Sequence, residues 1–370
     1  MKIGILTFHY AYNYGAILQC YALQQTLIEI GYRDVDIINV RAKRWQDSFQ
    51  GIPKKLNFTT IKKTLIKLHH SNEIKKVLDE FRNNNLHCTN KIEYSNLSKF
   101  AEKYDAIIVG SDQIWTPTLH KFKLYFLNWN NPHYNGLKIA YAPCCGFNFV
   151  HPKYKNELSK ALNSFDVLSA RNKETQNFVK AICDKQVDLA PDPTILYDFK
   201  EIPQVNCKYT NYILCFILGN DINGGNSKAI SVLKSTYPDS KVIAIVSAKS
   251  NPIIANWADI IIYNASIPEW ISYIKNAKFV FTDSFHCTIF CLKYGKKFAA
   301  YYSMPSRKAR FIDLIERYKL GKHIVSSIEE LKITAELEPI NCENILTEQK
   351  EYGRQFIKHS LLLTKHPNIV

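Results

Sequence analysis

The sequence predicts an α/β fold in two halves, each built on a parallel sheet, and three features point there. Residues 2–7 form a short apolar run, residues 15–30 carry Leu18, Tyr21, Ala22, Leu23, Leu27 and Ile30 at helical spacing, and residues 35–40 form a second apolar run. Strand, helix and strand in so short a span make a parallel βαβ unit, whose first loop, residues 8–14, opens on the ligand crevice. The cycle recurs through the first two hundred residues and then starts afresh from residue 212.

Taken in order, residues 105–109 read as a buried strand ending in Gly110, Ser111 and Asp112, and residues 138–142 as another before Pro143. Residues 165–170 and 187–189 continue the sheet with a helix over 172–183 between them, and Asp192, Pro193 and Thr194 close the half. The second half begins with a strand at 212–218, a Gly- and Asn-rich loop through Asn226, a helix over 227–236 and a strand at 241–245. A helix over 268–276, a strand at 279–282, the polar tip Asp283 to His286, a helix over 288–294 and a strand at 297–301 complete it. The expected domains are 1–200 and 205–340, with a terminal helix within 343–370 packing across both and a basic insertion at about 41–103.

The chain has 370 residues, and its 48 basic against 33 acidic side chains leave a net charge of +15, which favours anionic partners. Residues 41–103 carry 14 Lys and Arg against 6 Asp and Glu, so much of the excess is local. That stretch is either a solvated lysine face or a surface for a membrane-borne or polyanionic partner; Ile61, Leu65 and Leu68 set against Lys62, Lys63 and Lys67 fit a membrane-surface helix. The ten cysteines include no CxxC pair and read as reduced thiols rather than zinc ligands. No signal-like start and no spanning apolar run are visible, so the expectation is a cytoplasmic protein, peripheral to the inner membrane face if its substrate is lipid-linked. Nucleic acid is not an expected partner, and oligomeric state is not legible.

Chemistry concentrates at the strand ends. Asp283, Ser284, Phe285 and His286 join a buried strand to a helix, a place where backbone N–H groups and the positive helix end attract a phosphate or carboxylate, with His286 beside it to supply a proton. An N-cap with a structural histidine fits the same four residues. In the first half, Ser111, Asp112, Gln113 and Trp115 bring together a carboxylate, an amide and an indole, a mixture that suits a sugar ring; a cap followed by a core Trp is the alternative. Asn13, Tyr14 and Gly15 stand where the first loop meets its helix, and Arg171, Arg307 and Arg310 follow strand ends, with guanidinium forks fit for carboxylate or phosphate oxygens.

Together these tips resemble the polysaccharide pyruvyl transferase family. The resemblance runs through Asn13-Tyr14-Gly15-Ala16 with Leu18-Gln19, Val109 to Trp115 (VGSDQIW), Asp192-Pro193-Thr194 and Thr282 to His286 (TDSFH), over roughly residues 4–315. Cys287 departs from the family pattern, where Gly commonly follows the histidine, and Ser284 stands where other branches carry Arg, which passes the anion contact to Arg171, Arg307 or Arg310. The resemblance implies two Rossmann-like lobes facing across a cleft, similar to the two-lobed (GT-B-like) glycosyltransferase architecture. It also implies transfer of pyruvate from phosphoenolpyruvate to a sugar hydroxyl pair as a cyclic ketal, in biosynthesis of a capsular, extracellular or cell-wall polysaccharide.

On that reading Arg171, Ser284, Phe285, His286, Arg307 and Arg310 hold the donor, and Asn13, Tyr14, Ser111, Asp112, Gln113 and Trp115 face the acceptor. His286 is the acid, because an imidazole beside a dianionic phosphate keeps its proton, and Asp112 is the base. No cofactor or metal ligand set is expected, although a magnesium ion can ride on the donor phosphate. The rival reading is a nucleotide-sugar-dependent glycosyltransferase of the same two-lobed architecture.

Overall fold

The computed structural model describes residues 1–40, 58–116, 122–129, 131, 133–146, 152–247 and 255–363. Two wholly parallel sheets follow one another along the chain. The first holds β1 (Lys2–Leu6), β2 (Asp34–Ile37), β3 (Ala106–Val109), β4 (Leu137–Ala140), β5 (Val167–Ala170) and β6 (Asp188–Leu189) in the order β2-β1-β3-β4-β5-β6. The second holds β7 (Tyr212–Phe216), β8 (Lys241–Ile245), β9 (Ile260–Ile262), β10 (Phe279–Thr282) and β11 (Phe298–Ala300) in the order β11-β10-β7-β8-β9. Central strands such as AIIV, YILCF and FVFT are buried throughout, as strands covered by helices on both faces must be.

Each strand order has one reversal. In the first sheet the chain moves outward from β1 to β2 and then crosses to β3; in the second it runs β7, β8, β9 and then crosses to β10. Crevices form beyond the strand C-terminal ends at such reversals. The loops that flank them are therefore 7–13 and 110–116 in the first half, and 217–225 and 283–286 in the second.

The halves are tied together by polar and aromatic contacts. The hydroxyl of Tyr14 donates to the Ala265 carbonyl at 2.6 Å, and its ring stacks on Trp270 at 5.3 Å between centroids. The helix Glu343–Leu362 straddles the join: Arg354 donates to Glu29 at 2.5 Å, Lys350 pairs with Asp198 at 2.8 Å, and Gln349 accepts from Arg317 of the helix Pro305–Tyr318 at 2.8 Å. Arg317 also donates to the carbonyl of Arg171 at 2.8 Å.

The helices Pro152–Asn163, Pro305–Tyr318 and Ile328–Ala335 escape the sequence reading, and the helix Phe58–Asn85 runs well past the short helical stretch read around residues 61–68. The helix after β10 begins at Phe285 rather than 288, because Ser284 caps it, its Oγ accepting from the Cys287 N–H at 3.3 Å. Residues 41–57 of the basic insertion lie outside the described residues, as does the side-chain pattern over 60–68 on which a membrane-surface face would rest. Among the described residues, no helix is long and apolar enough to cross a membrane.

Candidate active site

A cavity of about 250 Å³ lies where the two reversals meet. Phe8, Ala11, Tyr12, Asn13, Ala16, Asp112, Gln113 and Thr116 line it from the first half, and Leu218, Ser247, Asp283, Ser284, Phe285, His286, Arg307 and Arg310 from the second. The loop after β1 is held from behind by the helix Phe58–Asn85, whose buried Arg82 donates to the His9 carbonyl at 2.8 Å and lies 5.3 Å over the Tyr12 ring. Gln19 ties that loop to the next, donating to Thr7 Oγ1 at 3.0 Å and accepting from the Ser111 N–H at 3.1 Å.

Asp112 leaves β3 with φ 74° and ψ −175°, a region essentially reserved for glycine, so its backbone is strained where it meets the cavity. Its carboxylate lies 3.4 Å from Arg171, which is 2% exposed and also contacts Asp192 at 2.6 Å and Cys144 Sγ at 2.9 Å, while its guanidinium covers the Phe285 ring at 4.6 Å. Burial would raise the Asp112 carboxyl, but Arg171, His286 and Arg310 outweigh it and hold the group below the usual range. Asp192 goes further in the same direction: burial opposes ionisation, yet His286, Arg171 and the Thr194 N–H keep it well below ordinary carboxylates.

His286 crosses from the second half onto the first. Its ring lies so close over Gly15 that a Cβ built there would stand 2.1 Å from Nδ1. On its other side Nε2 is buried, without a hydrogen-bond partner, 3.4 Å from Asp192 Oδ2. The helix Phe285–Lys293 starts at this wall, so its positive end adds to the field. Arg307 pairs with Asp283, whose other oxygen accepts from the Leu218 N–H at 2.6 Å; burial nevertheless raises the Asp283 carboxyl. Arg310 differs from every other cation here: among the described residues its guanidinium has no ion pair, and its Nε is buried and unsatisfied. Burial, then the like charges of Arg171 and Arg307, pull it below the usual guanidinium range.

A sequence model of the polysaccharide pyruvyl transferases matches residues 13–303 of the chain. The chain belongs to the polysaccharide pyruvyl transferase family. No curated protein matches the sequence significantly. Among solved structures, UDP-GlcNAc 2-epimerase from Methanocaldococcus jannaschii in complex with UDP-GlcNAc and UDP is similar at a TM-score of 0.55 and 14% identity, covering 97% of this chain and 99% of that one. A putative UDP-N-acetylglucosamine 2-epimerase from Listeria monocytogenes is similar at 0.51 and 11%, covering 96% and 90%. At such identities the likeness shows the fold alone, two Rossmann-like lobes facing across a cleft.

For a pyruvyl transferase read from its motifs, the structure sorts the expected residues into two groups. Asn13, Asp112, Gln113, Ser284, Phe285, His286, Arg307 and Arg310 all line the one cavity. Four others do not. Trp115 is fully buried, donates from Nε1 to the Tyr125 carbonyl at 2.9 Å and stacks on Phe126, so it is core and not a sugar platform. Ser111 donates to the Ala142 carbonyl at 2.6 Å behind the loop, and Tyr14 fastens the halves to each other, which removes both from the acceptor side. Arg171 stands behind Asp112 and Phe285, engaged with two carboxylates, and reaches the cavity only through them.

The sequence reading names Asp283 in the second-half tip and Asp192 in the Asp-Pro-Thr block but gives neither a role in the site. Among the described residues, no three His, Cys, Asp or Glu side chains converge as a metal ligand set.

Proposed function

We propose that this enzyme moves pyruvate from phosphoenolpyruvate onto two hydroxyls of a sugar as a cyclic ketal. The observation that carries the proposal is Arg310, a cation in the cavity wall with no ion pair among the described residues, beside Arg307 and a helix N-terminus. An unpaired guanidinium in such surroundings is costly unless an anion arrives to complete it. Phosphoenolpyruvate brings a phosphate and a carboxylate on a skeleton small enough for about 250 Å³.

The reaction then has a group for each step. A ring N–H of His286 gives its proton to the methylene carbon, turning it into a methyl group and leaving positive charge on the adjacent carbon. A sugar hydroxyl oxygen attacks that carbon as Asp112 takes its proton. The carbon–oxygen bond to phosphate breaks, the second hydroxyl closes the ring, and its proton leaves with phosphate or solvent. Asp112 is a weak base while Arg310 is unpaired; a donor anion neutralising Arg310 removes part of that effect and raises its basicity. Asn13, Gln113 and Thr116 supply neutral hydrogen-bonding groups on the sugar side.

The nucleotide-sugar alternative is disfavoured by the Gly-rich loop after β7. At the start of the helix Asn226–Thr236, where a diphosphate would sit, the Asp221 carboxylate accepts from the Asn226 N–H at 3.1 Å. The test is to incubate purified enzyme with phosphoenolpyruvate and candidate glycosides, free and lipid-linked. Phosphate release coupled to an acceptor gaining the mass of pyruvate less water supports the proposal. Nucleotide release from UDP-sugars, with phosphoenolpyruvate left intact, overturns it.

A further inference from the structure

Asp192 does not line the cavity, yet three donors hold it in place. Its Oδ1 accepts from the Thr194 N–H at 3.0 Å and from Thr194 Oγ1 at 2.7 Å, and its Oδ2 takes Arg171 at 2.6 Å. Three donors on a side chain that is 1% exposed leave it one orientation, with Oδ2 also 3.4 Å from His286 Nε2. The helix cap would need only Oδ1. On the other face of the imidazole, Gly15 lies between the cavity-lining Asn13 and Ala16, and Nδ1 is the nitrogen nearest to it.

We infer that Asp192 is the positioning residue for His286: it takes the Nε2–H side of the imidazole and leaves Nδ1 as the edge that delivers a proton to the donor. The inference rests on the pyruvyl-transfer reading for the identity of the donor, but the Asp192–His286 relation does not. In the step concerned, the bond from Nδ1 to its proton breaks and a bond from that proton to the methylene carbon forms. The electron pair stays on Nδ1, and the ring is left as the Nε2–H tautomer facing Asp192. The 3.4 Å separation shortens as the site fills, as such contacts commonly do on ligand binding. Against burial, His286 first, then Arg171 and the Thr194 N–H, hold the Asp192 carboxyl well below the ordinary range, so it meets the ring as an ionised acceptor. Arg171 therefore acts on both members of the acid–base pair, orienting the partner of His286 with one arm and lying against Asp112 with the other.

The experiment is a double-mutant cycle with a spectroscopic arm. Asp192→Asn keeps a carbonyl oxygen for Thr194 but removes the charge and presents an N–H₂ to the ring. In the wild-type background kcat should fall on the order of 100-fold, as for other residues that orient a reacting histidine, with KM for phosphoenolpyruvate changed less than about threefold. In the His286→Gln background the same change should lower kcat by less than about twofold, because the residue it positions is gone. On ¹⁵N-histidine-labelled protein, the His286 signals, assigned by their loss in His286→Gln, should report the Nε2–H tautomer, and Asp192→Asn should shift them toward Nδ1–H. That arm needs no turnover, so an enzyme inert to phosphoenolpyruvate would sink the transfer reading while still deciding the role of Asp192. Should Asp192→Asn fail to fold, Thr194→Val, which frees the carboxylate to turn, should give a smaller shift of the same sign. Equal losses in both backgrounds, or a His286 tautomer indifferent to the substitutions, overturn the inference.

Discussion

Replacing Gly15 by alanine tests whether the two halves meet as described, and the sign of its effect is the informative part. Gly15 is the second residue of the helix Tyr14–Glu29 and lacks the positive φ that would demand glycine. Helix propensity alone favours alanine by up to about 1 kcal/mol. Against this, the added Cβ would stand 2.1 Å from His286 Nδ1, 2.3 Å from Cγ and 2.7 Å from Cβ, where ordinary contact begins at 3.4 Å. The nearest atom must move 3.4 − 2.1 = 1.3 Å. Turning the ring does not suffice, since the His286 Cβ is itself too close; the first turn of the helix Phe285–Lys293 has to shift. Overpacking of this kind costs about 1–3 kcal/mol, and displacing a reacting group by about 1 Å costs on the order of 100-fold in rate.

The expected variant is therefore destabilised in urea and about two orders of magnitude slower in phosphate release at saturating acceptor. His286→Ala removes two of the three close approaches, so Gly15→Ala/His286→Ala should recover much of the stability and none of the activity. A Gly15→Ala enzyme with wild-type kcat/KM and equal or higher Tm would mean that His286 does not lie on the first half, and the argument for one shared cavity would fail.

Other expectations follow from the same geometry. Arg310→Ala should raise KM for phosphoenolpyruvate roughly tenfold to hundredfold, the range for a lost charge-assisted hydrogen bond, while leaving the ligand-free Tm unchanged or higher; a lower Tm with unaltered KM would make Arg310 structural. Trp115→Phe should cost about 1–3 kcal/mol in urea unfolding through the lost bond to Tyr125 and poorer packing, with acceptor KM unmoved; the opposite pattern would return Trp115 to the sugar side. Lys293, largely buried and donating to the Tyr197 carbonyl at 2.8 Å, is pulled down to about 8 by burial. Its unfolded form stays protonated to about 10.4, so between the two the unfolded chain binds more protons and stability rises with pH. The Tm of Lys293→Met relative to wild type should therefore decline between pH 8 and 10; a difference flat with pH refutes it.

The parallel strands, the βα cycles and the two tips were legible because they are local: an apolar run of strand length followed by small polar residues marks a strand end wherever it occurs. Which way each residue of a tip turns was not. Asp112 and Gln113 face the cavity while Ser111 and Trp115 turn inward, and the alternation is set by the backbone at Asp112 and the short 3₁₀ turn Gln113–Trp115, not by residue chemistry. The helix Pro305–Tyr318 has a readable signal, Pro305 in its first turn with Phe311, Leu314 and Tyr318 on the buried side, but the nearby strand end at residue 301 dominates the reading of its arginines. Asp192 carried little weight as a residue in a short Asp-Pro-Thr block, since the two groups that give it meaning, Arg171 and His286, come from a different strand end and from the other half of the chain.

That distribution of groups explains why the cavity's charge stands at the join. The first half contributes two carboxylates held ionised, Asp112 and Asp192, and the second contributes His286, Arg307 and Arg310. Among the described residues, Arg171 ion-pairs with the first set within its own half, and Asp283 with Arg307 of the second. Bringing the halves together lets Asp192 meet His286 but, among the described residues, leaves Arg310 without an ion pair. Tyr14 on Trp270, Arg317 on the Arg171 carbonyl and the helix Glu343–Leu362 supply the cohesion that holds like charges at close quarters in spite of this. A fold whose lobes met through these contacts alone would gain nothing from an unpaired arginine in its cleft; one that must draw a small, highly charged donor out of water would.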